Sequence, residues 1–191
     1  MNKTTLAFAA AATAALLAGI QPVRAADPPA TRARAASHAV SDSDRTFMTK
    51  AAGGGLYEVE IAKMASQKAE SADVKQFAEM LVKDHTAAND ELKALAASKS
   101  VELPKDVPAD KKKKMAMIEN NRSGASFDRA FIQKVGVSDH QEDIKLFEMA
   151  SRSAKDADVK ALADQHMPVV EQHLKSAQQM HMAKSGTTAG K

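Results

Sequence analysis

Apolar residues recur along most of this chain at three- and four-residue spacing, the period of an α-helix with one buried face. Phe47, Ala51, Gly55, Ala62, Ala65 and Ala69 share one stripe, and Val74, Phe77, Ala78, Leu81, Ala88, Leu92 and Leu95 share a second. A third arc carries Ile132, Val135, Gly136, Leu146, Phe147 and Ala150, and a fourth stripe carries Leu162, Val169, Val170, Ala177 and Met180. Capping residues and prolines set the limits. Ser41 with Asp44 three residues on opens a first helix running to about residue 70, and Ser71 caps a second over 72–98. Pro104 and Pro108 break the chain at 101–108, and a short helix follows over 109–121. A third long helix is predicted over 126–154, and a fourth, capped by Asp156, runs to about 183 with Pro168 expected to kink it. Gly53, Gly54 and Gly55 inside the first helix read as close packing or a kink; no strand precedes them and no GK[ST] follows, so a phosphate loop is excluded.

Short, long and short connections between four helices predict an all-α four-helix bundle of ferritin-like layout. Its one long crossover carries the short extra helix. Residues 41–183 form the bundle in this reading, with 26–40 a flexible leader and 184–191 a disordered tail.

The chain writes part of itself twice. Glu58–Ala78 returns as Asp143–Ala163, so that Met64-Ala65-Ser66 lies over Met149-Ala150-Ser151, and Ala72-Asp73-Val74-Lys75 over Ala157-Asp158-Val159-Lys160. Two related helix pairs are implied.

Composition agrees with helices and adds a compartment. Aromatics make up 4% of the 191 residues and Trp is absent, so the core must be built from Ala, Leu, Val, Met and six Phe. Lys3, an apolar run from Leu6 to Ile20 and Val23-Arg24-Ala25 make residues 1–25 a cleaved signal peptide, and export to the periplasm or outer membrane the expected fate. With no Cys there is no disulfide and no lipid-attachment cysteine. Lys3 and Arg24 leave with the signal, taking the formal charge from +3 to +1, so no nucleic-acid partner is expected. Lys111–Lys114 reads as a solvated helix start, with an anionic lipid or polymer contact the minority alternative, and any partner is expected to be an envelope component or a protein.

The chemistry lies in polar residues that fall on apolar stripes. Glu58 sits mid-stripe on the first helix and His85 on the second; the third brings Asp143 with Asp139 and His140 to either side, and the fourth His166 and His173. Taken singly, each is an ordinary core or boundary residue. Together, Glu58, His85, His140, Asp143 and His173 bring charge and imidazole into one small core, which is costly without a partner. That partner is either one transition metal, with Zn, Fe or Cu suited to such ligands, or the residues themselves, as a Glu58–His85 pair and an Asp143–His173 pair with water. No acid stands three residues before any of these histidines, so the Glu-x-x-His pattern of di-iron bundles is absent. Ser, His and Asp occur without a nucleophile-elbow context, which excludes a hydrolase of that type.

Phe47 with Ala51 and Gly55, Glu58-Val59, Asp73-Val74-Lys75 with Phe77-Ala78, Val82-Lys83-Asp84-His85, Phe127-Asp128, Asp139-His140, and Pro168 followed by His173-Leu174 occur in order over residues 41–180. In these signals the chain resembles a bacterial family of exported ferritin-like proteins of unknown function, often labelled outer-membrane or periplasmic proteins. The resemblance implies a ferritin-like bundle in the cell envelope and supplies no activity and no ligand residues. The expected function is therefore a non-catalytic binding or stress-protective role in the envelope, with the inward cluster as a metal site. A metal-dependent redox enzyme of the ferritin-like type and a purely structural or interaction module are the alternatives.

Overall fold

The structure, a computed structural model, describes residues 40–120 and 124–187. All regular structure among them is helical: α1 (Asp42–Lys68), α2 (Ala72–Ser98), α3 (Ala109–Glu119), α4 (Ala125–Phe131), a π-helical segment (Ile132–Asp139), α5 (His140–Ser153) and α6 (Ala157–Thr187). The second helix keeps the limits read from its cap, and the first ends within two residues of its expected end. The expected third helix is instead three segments, with a wider π turn at its centre. Of the signal and leader expected over residues 1–40, residues 1–39 lie outside the described residues, and α6 extends to Thr187, into the tail expected from residue 184. No described helix is long and apolar enough to cross a membrane.

The four long arms are α1, α2, the α4–π–α5 run and α6, and the crossover at 99–124 carries α3. α1 packs along α2, and α5 along α6, as the short turns between them require. Gly53, Gly54 and Gly55 lie inside an unbroken α1. A Cβ on Gly53 would stand 2.8 Å from Pro108 Cγ in the crossover, and one on Gly55 only 2.1 Å from Asn89 Oδ1 on α2. The glycines let the chain approach closely; they do not break the helix. α6 likewise continues through Pro168.

Two buried carboxylates tie the hairpins together. Asp44 on α1 accepts hydrogen bonds from the backbone N–H groups of Lys155 and Asp156 in the α5–α6 turn, at 3.1 and 2.9 Å. Asp128 on α4 accepts from the N–H groups of Glu70 and Ser71 in the α1–α2 turn, both at 3.0 Å. Each turn therefore has its orphan donors satisfied by the opposite hairpin. The expected Ser71 side-chain cap is not formed; Asp128 instead holds the N–H of Ser71 itself. The Ser41 and Asp156 side chains do cap: Ser41 Oγ accepts from Asp44 N, and Asp156 Oδ1 from Asp158 N and Val159 N.

The core divides into two apolar clusters at opposite ends of the bundle. One holds Tyr57, Ile61, Phe77, Leu81, Phe127, Phe131 and Val135, the other Phe47, Met48, Leu92, Val159 and Leu162. On α2 and α6 the inward His85 and His173 fall at the changeover from one cluster to the other, and on α1 Glu58 lies just inside the first cluster, next to Tyr57. The cluster is a polar layer across an otherwise apolar core.

Candidate metal centre

Three imidazoles form the middle of that layer. His85, His140 and His173 come from α2, the start of α5 and α6, and their ring centroids stand 5.6, 5.3 and 5.3 Å apart, close to an equilateral triangle. One ring nitrogen from each lies within 4.8 Å of the other two. All three rings are buried, His140 completely.

In every ring one nitrogen is fixed by an acceptor. His140 Nδ1 donates to the Val135 carbonyl at 2.9 Å, His85 Nδ1 faces Glu58 Oε2 at 3.1 Å, and His173 Nε2 faces Asp84 Oδ2 at 3.0 Å. The remaining nitrogens, His140 Nε2, His85 Nε2 and His173 Nδ1, are buried with no hydrogen-bond partner, as is Glu58 Oε1. An acceptor on one nitrogen puts the proton there and leaves the lone pair on the other. Leaving such groups unpaired costs about 1–3 kcal/mol each, so the three nitrogens call for a partner, either a metal ion or ordered water.

The π-helical segment seats the third ring. In its wider turn the carbonyl of Val135 lies five residues before His140 and meets the side chain of that residue, as the carbonyl of Gln133 meets Ser138 Oγ at 3.0 Å. Asp139, one residue earlier, turns the other way, accepting from the Tyr57 hydroxyl at 3.0 Å and pairing with Lys114 of α3. Lys111 sits 5.2 Å from the centroid of the Tyr57 ring. The basic run of α3 is thus divided: Lys112 and Lys113 are exposed as expected, while Lys111 and Lys114 turn inward and tie the crossover to the bundle.

Glu58 and Asp143 complete the layer, with Glu58, His140 and Asp143 forming a second group whose ligand atoms lie within 4.8 Å of one another. Burial, then the neighbouring Asp143, holds the Glu58 carboxyl well above its ordinary range. Asp143 is pushed up to about 6, chiefly by burial. Burial lowers the imidazoles instead: His140 to about 4, His85 well below its usual value with help from the other two rings, and His173 less far because Asp84 opposes the effect. At neutral pH the three rings are neutral, which is the form that ligates metals. A cavity of about 40 Å³ opens beside His85, His173, Glu58 and Asp143, with His166 and Val169 in its lining.

The sequence pattern of the domain of unknown function DUF4142 matches residues 29–180. The chain belongs to that family. No curated protein sequence matches this DUF4142 chain. Among solved structures it is similar to a proposed spore coat protein of Bacillus halodurans C-125, at 12% identity and a TM-score of 0.60, covering 76% of this chain and 90% of that one. It is also similar to CopM in its Cu(II)-bound form, at 19% identity and a TM-score of 0.60, covering 73% of this chain and 96% of CopM. At these identities the likeness carries the helical fold and nothing further.

All five residues singled out from the stripes, Glu58, His85, His140, Asp143 and His173, are brought together. Of the two internal pairs expected, Glu58–His85 is present, but His173 meets Asp84 and leaves Asp143 to Glu58 and His140. Asp84 escaped the stripe reading because its side chain is partly exposed, one residue off the buried line. The Val135 carbonyl left no sequence signal, since its role depends on the π turn.

Proposed function

We propose that this bundle binds one transition metal ion through His85, His140 and His173, with Glu58 and Asp143 alongside. The observation that carries the reading is the triangle of three neutral, buried imidazoles, each with one nitrogen fixed by an acceptor and the other without a partner. A set of imidazoles with adjacent carboxylates suits Cu(II), Zn(II) or Fe(II), and copper is favoured by the general order of divalent affinities. Glu58 and Asp84, holding the far nitrogens of His85 and His173, are the kind of outer partners that orient ligands and raise their basicity. The internal network expected as the alternative is only half present, since Glu58 pairs with His85 but His173 pairs with Asp84 rather than Asp143.

The role we infer is metal binding or protection in the cell envelope, in an exported protein of ferritin-like layout. Support for export comes from the charged, apolar and small-residue order of residues 1–25. A second reading, a metal-dependent redox enzyme, draws on the cavity of about 40 Å³, which has room for a water or small oxidant at an open coordination position.

Metal content of untagged protein purified without chelator tests the proposal. About one equivalent of a transition metal per chain is expected, falling to background in the His85→Ala/His173→Ala double variant, together with a rise in thermal midpoint on adding Cu(II) to the stripped wild type. No bound metal and no thermal response to Cu, Zn or Fe would overturn it.

A further inference from the structure

The contact between Asp84 and His173 occurs twice. Seven residues further along α2 stands Glu91, and seven residues earlier along α6 stands His166; Glu91 Oε2 meets His166 Nε2 at 3.1 Å, as Asp84 Oδ2 meets His173 Nε2 at 3.0 Å. The helices run antiparallel, so the same acid-to-imidazole arrangement is repeated two turns along, roughly 10 Å away at 1.5 Å per residue. Glu91 is fixed by a second donor, Gln165 Nε2 at 2.8 Å. His166 lines the same cavity as His85 and His173, yet its partner Glu91 is about half exposed. With the Nε2 proton held on Glu91, Nδ1 of His166 keeps the lone pair, just as Nδ1 does in His173.

The cavity therefore joins His166, whose carboxylate partner is exposed, to His85 and His173 of the triangle. We propose that His166, oriented by Glu91, is an outer ligand that captures a divalent metal ion and passes it inward to His85, His140 and His173; this rests on the metal-binding reading above. The exposed carboxylate attracts the hydrated cation, and the imidazole replaces part of its hydration shell before it enters a space too narrow for the full shell. Asp84, on the wall of the same cavity, continues the negative lining inward.

The test follows Cu(II) uptake by metal-free, full-length protein in a stopped-flow instrument, through the visible absorption of the filled site. His166→Ala and Glu91→Gln are compared with wild type, and circular dichroism checks that both fold. Loading should slow by about tenfold in each variant, while the final Cu(II) stoichiometry and the thermal shift on saturation stay at wild-type values. A variant that loads as fast as wild type overturns the outer ligand and leaves the inner site standing. Loss of final stoichiometry in His166→Ala also overturns it, by making His166 part of the inner site. Wild-type protein that takes up no Cu(II) overturns this inference together with the reading it rests on.

Discussion

The α1–α2 hairpin and the hairpin made by α4, the π segment, α5 and α6 are two versions of one design, and from Asp44 to Lys75 and from Asp128 to Lys160 their lengths differ by a single residue. Asp44-Arg45-Thr46-Phe47 in the first returns as Asp128-Arg129-Ala130-Phe131 in the second, 84 residues later. Beyond this point the spacing is 85: Glu58 corresponds to Asp143, and Asp73-Val74-Lys75 to Asp158-Val159-Lys160. The extra residue falls between 131 and 143, where the second hairpin has its π-helical segment at Ile132–Asp139 and the first has continuous α-helix. A wide turn is what one added residue makes of a helix whose two ends are already anchored, here by Asp128 on one side and the α6 packing on the other. The acids of the layer are equivalent in the two halves, but the histidines are not. At the 85-residue spacing His140 corresponds to Gly55, His85 to Val170 and His173 to Ala88. The site is thus an asymmetry built on a symmetric frame, and the added residue marks where the two halves part.

Removing the added residue should have the largest effect. Deleting Val137 would make both copies the same length and convert the π turn to α-helix, placing the Val135 carbonyl four residues before His140, where the backbone N–H takes it from the imidazole. We expect loss of bound metal and a destabilisation of roughly 3–5 kcal/mol, typical of a broken buried polar network, read from metal analysis and urea unfolding. Wild-type metal content in this variant would show that the extra residue does not seat the third ring.

A smaller effect should come from Gly136, within the π segment. A Cβ there would stand 2.6 Å from Ala177 Cβ and 3.2 Å from Phe77 Cε1, in a part of the core with no flexible side-chain end to give way. Gly136→Ala should cost about 1–3 kcal/mol through overpacking, measured as a lower thermal midpoint, and a neutral result would mean that α6 can shift away from the π segment. The anchors should rank last and match each other. Asp44→Ala and Asp128→Ala each leave backbone donors of the opposite turn unpaired, at about 0.5–2 kcal/mol, and clearly unequal losses in denaturant titrations would show that the hairpins are not equivalent at their ends.

Much of this was legible in the sequence for one reason: wherever the helix is regular, a fixed rotation per residue says which side chains face inward. Glu58, His85 and His173 lie on regular helices, and their inward placement follows directly. His140 and Asp143 were blurred, standing to the side of their arc or bracketed by it, because the π segment upstream changes the rotation that the arithmetic assumes constant. Partners reached across the bundle were not legible at all. Ser71 has the right residue type for a cap yet its side chain makes none, and its own N–H is held by Asp128, 57 residues away. Lys111 and Lys114 belong to a run of charge that sequence alone assigns to solvent; only the position of α3 against Tyr57 and Asp139 brings two of the four inward.

The exchange of caps between Asp44 and Asp128 bears on how the chain comes together. In each turn two backbone donors are held from the opposite hairpin, so a hairpin that forms alone has an incomplete end until the other docks. The two hairpins are therefore expected to gain their last stability in one step, and native-state hydrogen exchange should find the amides of Ser71 and Asp156 opening together, far apart in sequence yet governed by the same event.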